Sequence, residues 1–338
     1  MRIGILRDEQ TVNSLYRAVI PMRAVEARGH DVRWNLKSDT AFDVPGLLAC
    51  DVVLIHRYWD ADVQKLARRL GDAGVAIVWD NDDDIAAVPR ESAQYRRVGG
   101  ARGARIVAGM TRMMALADLV TTPSGVLAER YRALGVGPVR VLGNQVPDHF
   151  PDAARRAKSG DAVTIGWTAG LEHKLDLDRL GLRSTLQALL DADRRVEVVS
   201  AGLPLGLEGR YRHVRGVMLD ELALHNAQYD IAIAPLADIA MNQARSDIKV
   251  KEYAAAGVPW LASPVGPYRA LGEKEGGRLV PDDAWQAELA RLVDDARGRR
   301  KLAKRAAKWG AGETIRKHAG AWESALREAS ELARSRRS

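Results

Sequence analysis

What most limits the fold of this chain is a pattern that runs through it twice. Short apolar runs rich in Val, Ile and Ala alternate with longer stretches of helical spacing. In the first half the runs fall at 2–6, 31–34, 52–56, 76–80, 119–122 and 139–142, with helices expected over 12–28, 63–72 and 104–117. In the second half they fall at 163–167, 196–201, 213–216, 231–235, 260–263 and 277–280, with helices over 176–191, 220–228, 246–256 and 283–295. Runs that are apolar along their whole length belong to strands buried on both faces, the condition of a parallel sheet covered by crossover helices. Two such units in succession predict an α/β protein of two Rossmann-like, doubly wound domains facing each other across a cleft.

A stretch of turn formers from Gly143 to Pro151, followed by the polar residues 152–161, marks the join. The expected division is an N-terminal domain over 1–148, a C-terminal domain over 160–312 and a closing basic helix or tail over 313–338. No apolar run approaches the roughly 20 residues that cross a bilayer. Met1 runs straight into the first strand without room for a signal peptide, so a cytoplasmic protein is expected. The single cysteine, Cys50, excludes an internal disulfide and a cysteine metal cluster.

The net charge of +7 is uneven, because residues 297–338 hold 13 Lys/Arg against 4 Asp/Glu. A solvated helical tail accounts for this. So does a surface for an anionic partner, either nucleic acid or acidic lipid headgroups.

Residues 230–263 carry the most chemistry. A buried strand ends at Pro235, a polar loop follows, and a helix opens near Ser246 and Asp247, either of which suits the N-cap. The free N–H groups and positive dipole of a helix start suit a phosphate, and Lys249 in the first turn adds a full charge. Glu252 on the same helix is placed to accept hydrogen bonds from a ribose diol. The plainer alternative is that Lys249 and Glu252 form an ordinary surface pair at i, i+3.

The pattern Ser246-x-x-Lys249-x-x-Glu252-Tyr253, continued by Ala254–Gly257 and Pro259, resembles the nucleotide-binding run of family 4 of the retaining GT-B glycosyltransferases (glycosyltransferase group 1). Asn13 to Arg17, Pro21 and Gly29-His30-Asp31-Val32 are similar to that family's first helix and second strand. The run from Trp79 to Asp84 is similar to one in its bacterial and bacteriophage branch. The resemblance implies the GT-B fold, with a last helix that crosses back to the N-terminal domain. It also implies donor contacts at Gly170, His173, Lys174, Ser246, Asp247, Ile248, Lys249 and Glu252, with Lys174 preferred to His173 for the diphosphate. The activity implied is transfer of a hexosyl or pentosyl group from a nucleotide sugar to an acceptor hydroxyl, with retention. The nucleotide sugar is a substrate, so no cofactor is expected. No metal is expected either, since helix dipole and basic side chains neutralise the diphosphate.

The acceptor side is expected near Tyr16, Arg17, Arg57 and Asp80. Lys174, Lys249, Asp82 and Asp83 are the candidate catalytic residues. The acidic run Asp80, Asp82, Asp83 and Asp84 reads as a contact to the acceptor or as helix capping, with a metal site as the lesser alternative. The acceptor is open among glycan, lipid-linked, protein and DNA, a modified base in phage DNA being the specific alternative. Two departures stand out: Ala244 occupies the place of the family's first glutamate, and Arg7-Asp8-Glu9-Gln10 replaces a Gly-Gly loop. The missing glutamate supports a reading of another class, a non-catalytic protein that binds a nucleotide or glycan.

Overall fold

A computed structural model describes residues 1–7, 12–34, 36–37, 41–155 and 162–336. Asp8, Glu9 and Gln10, and the part of the expected linker at 156–161, lie outside the described residues.

Strands β1 (Arg2–Leu6), β2 (Asp31–Arg33), β3 (Val52–His56), β4 (Ala76–Asp80), β5 (Leu119–Thr122) and β6 (Val139–Val141) form one sheet in the order β2-β1-β3-β4-β5-β6. Strands β7 (Val163–Ala169), β8 (Val196–Gly202), β9 (Tyr211–Val214), β10 (Ile231–Ala234), β11 (Trp260–Ala262) and β12 (Gly277–Leu279) form a second, in the order β12-β11-β10-β7-β8-β9. Every pairing in both sheets is parallel. The strand order reverses between β1 and β3 in the first sheet and between β7 and β10 in the second. Those are the places where open α/β sheets leave a crevice at their carboxyl ends.

The period of two along β3 shows how burial on both faces arises. Val52 and Leu54 join a cluster with Met22, Trp322 and Leu326, while Val53 and Ile55 join one with Leu66, Trp79 and Met113. Helices α1 (Ile20–Glu26), α2 (Ala61–Ala73) and α3 (Gly100–Leu116) supply most of that cover, and α4 (Gly125–Ala133) follows β5. In the second half come α5 (Lys174–Arg179), α6 (Leu182–Ala192), α7 (Ile248–Ala255), α8 (Trp285–Asp294), α9 (Ala296–Gly310) and α10 (Ile315–Ser335).

The final helix crosses back as expected: Ile315, Trp322, Ala325 and Leu326 of α10 pack into the core of the first domain. The chain therefore passes between the domains twice, and the two passages are bonded to each other. Val146 N–H donates to Glu313 O at 3.1 Å and Ile315 N–H donates to Val146 O at 2.9 Å.

Four expectations are corrected. The expected helix over 12–28 carries a π segment at Leu15–Val19, where Ile20 N–H reaches back to Leu15 O. Pro21 has no N–H for Arg17 O, which favours the wider turn. The helix expected over 176–191 divides at Gly181, whose φ of 59° no ordinary helix residue adopts. The strand expected at 213–216 sits two residues earlier, because Tyr211 Oη is held by Ser200 Oγ and Leu205 N–H, each at 2.8 Å.

The basic surplus, last, does not travel on the crossing helix. Seven Lys/Arg and no acid lie in α9, which packs on the second domain, whereas α10 balances Arg316, Lys317, Arg327 and Arg334 against Glu323, Glu328 and Glu331. At Gly310 of α9 a Cβ would stand 2.3 Å from Ala255 N, so that contact with α7 requires glycine. Among the described residues no helix is long and apolar enough to cross a membrane.

Candidate active site

A pocket of about 480 Å³ opens between the carboxyl ends of the two sheets. The first domain lines it with Asn13, Tyr16, Asp82, Asp83 and Asn144. The second lines it with Gly170, Glu172, His173, Arg245, Ser246, Ile248, Lys249, Glu252 and Tyr268. Gly170 and His173 come from the turn after β7, and Arg245 to Glu252 from the loop and helix after β10, the two sides of the second sheet's switch point.

Asp247 is the N-cap of α7 but makes no side-chain cap bond. It turns instead to Lys251 at 3.2 Å, leaving the first-turn N–H groups to the pocket. Burial raises its carboxyl pKa, which Lys251 opposes. Lys251 also reaches Glu313 at 3.0 Å and Asn144 O at 3.1 Å, so one ammonium ties α7 to both passages of the chain.

Lys249 and Glu252 do form the i, i+3 pair, at 3.0 Å, but inside the pocket and not on an open surface. Glu252 is 3% exposed, and its other oxygen accepts a 2.6 Å bond from Tyr16 Oη across the domain boundary. Burial, and next to it the Glu252 charge, pushes the Tyr16 phenol well above its ordinary pKa, so it stays a donor. Ser246 Oγ accepts from Asn144 Nδ2 at 3.1 Å, a further contact between the domains.

Sequence reasoning missed Arg245. It lines the pocket with its Nε bonded to Asn242 Oδ1 at 2.9 Å, and its charge helps hold the Asp83 carboxyl low. A signal existed: Arg245 is a cation in the polar loop that feeds the helix start, immediately before Ser246. Beside it, His173 Nδ1 lies 2.7 Å from Asp176 Oδ2, which fixes the ring and leaves Nε2 as its other polar atom. Burial and then the Arg245 charge lower the His173 pKa, favouring neutral imidazole. Lys174, preferred on sequence grounds, does not line the pocket. Its ammonium is on the outer face of α5, 2.5 Å from Asp178, with the side chain 60% exposed.

On the facing side, Arg17 and Asp80 are fully buried and out of reach of an acceptor. They form a two-point pair at 3.1 and 2.6 Å, and Arg17 also donates to Leu142 O and, at 2.9 Å, to Asn144 Oδ1. Thr121 Oγ1 at 2.6 Å and His56 Nδ1 at 3.0 Å complete the shell around Asp80. Burial would raise the Asp80 pKa, but Arg17 and His56 hold it far below the usual carboxylate range.

The rest of the acidic run is answered by arginines. Arg57 forms an ion pair with Asp82 at 2.9 Å and hydrogen-bonds Asp83, while Arg130 pairs with Asp84. Arg57 has φ 64°, a left-handed conformation that a non-glycine residue adopts at a cost and that clusters at functional sites. Burial works against its charge, yet Asp82 and Asp83 raise its pKa above the ordinary value. Asp84 caps the short 3₁₀ turn Ile85–Ala87 by position only, its side chain making no capping bond.

Ala244, in the place of the expected glutamate, is 1% exposed and packed into the first domain's core, its carbonyl accepting from Ser124 Oγ at 2.7 Å. A carboxylate there would be buried against apolar side chains instead of facing the pocket.

No family model matches the chain, and no curated protein matches it. Solved structures do. Sucrose-phosphate synthase from Thermosynechococcus elongatus is similar with a TM-score of 0.65 at 14% identity, over 99% of this chain and 98% of that one. HepE of Anabaena, solved with UDP and glucose, gives 0.66 at 13% identity over 96% of this chain and 100% of that one. An alpha-glucosyltransferase solved with UDP-glucose and DNA containing an abasic site gives 0.62 at 10% identity, over 93% and 95%. At such identities the likeness establishes the fold. This chain has the GT-B architecture.

Proposed function

We propose that the protein transfers a sugar from a nucleotide sugar to an acceptor hydroxyl, with retention of configuration. The observation that carries this is the joining, in one interdomain pocket, of an uncapped helix start with Arg245, Lys249 and Glu252. The nucleotide-sugar ligands of the structurally similar HepE and alpha-glucosyltransferase support the choice of donor.

In this reading the diphosphate sits at the start of α7, and Arg245 and Lys249 stabilise the charge that grows on the leaving nucleoside diphosphate. Glu252 takes the ribose hydroxyls, releasing the bond from Tyr16 as the donor enters. His173 Nε2 meets a sugar or phosphate oxygen. The acceptor hydroxyl approaches from the Asp82–Asp83 side. Charge neutralisation comes from side chains and helix dipole, without a metal or cofactor.

The test is a panel of UDP-, GDP-, ADP- and TDP-sugars, reading thermal shift and slow donor hydrolysis. Stabilisation by one nucleotide series, lost in Glu252→Ala, is expected. Binding without hydrolysis or transfer to any acceptor would favour the non-catalytic reading. A DNA acceptor is a second reading. It is supported by Arg297, Arg300, Lys301, Lys304 and Lys308, which stand exposed on α9 with no ion pair among the described residues. DNA binding that is weak at low salt and insensitive to added salt would remove it.

A further inference from the structure

Beside the donor pocket lies a second hollow of different chemistry. It measures about 350 Å³ and is walled by Ile85, Val107, Met110, Met114, Tyr131 and Leu134. Val107, Met110 and Met114 are one helical stripe on α3, at i, i+3 and i+7, facing the turn after β4. Charge is confined to one end, where Asp83, Asp84 and Arg130 stand, and Asp83 is also a wall of the donor pocket. Beyond Ile85, Ala86 and Val107 the hollow adjoins another of about 620 Å³ that runs along α3 to Tyr95 and Val98. Leu134, at the rim, is 49% exposed.

We propose that this hollow receives the apolar portion of the acceptor, so that the acceptor is an amphiphile: a hydroxyl carried on a hydrocarbon or aromatic group. The inference rests on the transferase reading and names the substrate class for the acceptor side. An apolar group seated against Val107 and the two methionines places its polar end at Asp83, the residue shared with the donor. The stripe gives hydrocarbon an adaptable surface, since methionine fills irregular space readily. A free sugar or a phosphate in the same place would find polar partners only at Asp83, Asp84, Thr111 and Arg130 and would lie against hydrocarbon along the rest. The sizes are those of small-molecule pockets, and the adjoining hollow gives a longer chain somewhere to go.

The test uses methyl and n-octyl glucoside, the latter below its micelle-forming concentration, with dissociation constants from calorimetry and nucleotide-sugar thermal shift measured on the same samples. Affinity is expected to rise by up to about fourfold per methylene that enters the hollow. Val107→Trp, which fills the space, is expected to weaken octyl glucoside at least tenfold and leave the nucleotide-sugar shift intact. Leu134→Glu, at the exposed rim, serves if the tryptophan variant fails to fold, with the same expectation.

Equal affinity for the two glucosides, octyl binding indifferent to both variants, or transfer to duplex or single-stranded DNA would each overturn the amphiphilic acceptor while the nucleotide-sugar shift upheld the transferase. Octyl glucoside bound in the absence of any nucleotide-sugar shift would instead overturn the transferase reading, and with it the acceptor role, leaving an amphiphile-binding protein.

Discussion

Tyr16 and Arg17 are neighbours in the chain, yet they serve different parts of the molecule. Arg17 turns into its own domain and closes a dry ion pair with Asp80, with Trp322 of the crossing helix 4.9 Å from its guanidinium carbon. Tyr16 turns the other way, across the cleft, to Glu252 and through it to Lys249. Both pairs, Arg17–Asp80 and Lys249–Glu252, join opposite charges near the carboxyl end of a sheet. The first is saturated by Thr121, His56 and Asn144 and has no face left for a ligand. The second borders an open pocket and depends on one phenol from the other domain. The contrast separates a charge pair closed on all sides from one that borders an open pocket.

The largest effect that sharpens this comparison is expected from Arg17→Ala. Removing one partner of a buried pair should cost about 3–5 kcal/mol of unfolding free energy, read by urea titration. An unchanged midpoint would break the distinction. Next, Arg245→Ala and Lys249→Ala should each lower the transfer rate about 10²–10³-fold in a donor-consumption assay, with a smaller loss of stability than Arg17→Ala. Loss of fold in these variants would erase the difference between the two pairs.

Third comes pH. Asp80 is held below its ordinary value of 3.8, so its stabilisation is complete above that pH and is lost as the pH falls through the folded-state value. Unfolding curves in acid should show a loss on the order of 2 kcal/mol that Asp80→Asn no longer shows. Tyr16→Phe should cost only about 1–2 kcal/mol in the same titration, through the acceptor it leaves unpaired. Lys174→Ala should be nearly silent in both rate and stability, since its partner Asp178 is an exposed carboxylate. A rate loss matching that of Lys249→Ala would place Lys174 at the donor after all.

The parallel sheets were legible because burial on both faces leaves a continuous apolar run, and β1, β3, β4 and β5 begin and end where the sequence predicts. The start of α7 was legible because a helix entered from a polar loop advertises itself in local sequence. Direction was not legible. The acidic run reads as one patch, but Asp80 points into the core and Asp82 to Asp84 meet two different arginines. Arg245 hid for a related reason: it precedes the helix whose pattern drew the reading. Lys174 and His173 are adjacent, and only the turn Leu171–His173 decides that the imidazole faces inward and the ammonium outward.

The chain's two passages between the domains, laced together at Val146 and held to α7 by Lys251, have a mechanical consequence. A single connection lets two bodies swivel and slide, whereas two connections bonded side by side act as the pins of a door. Rotation about that line is the relative movement such a join leaves to the two halves. Tyr16–Glu252, on the pocket side of it, is a bond that such a rotation would have to break.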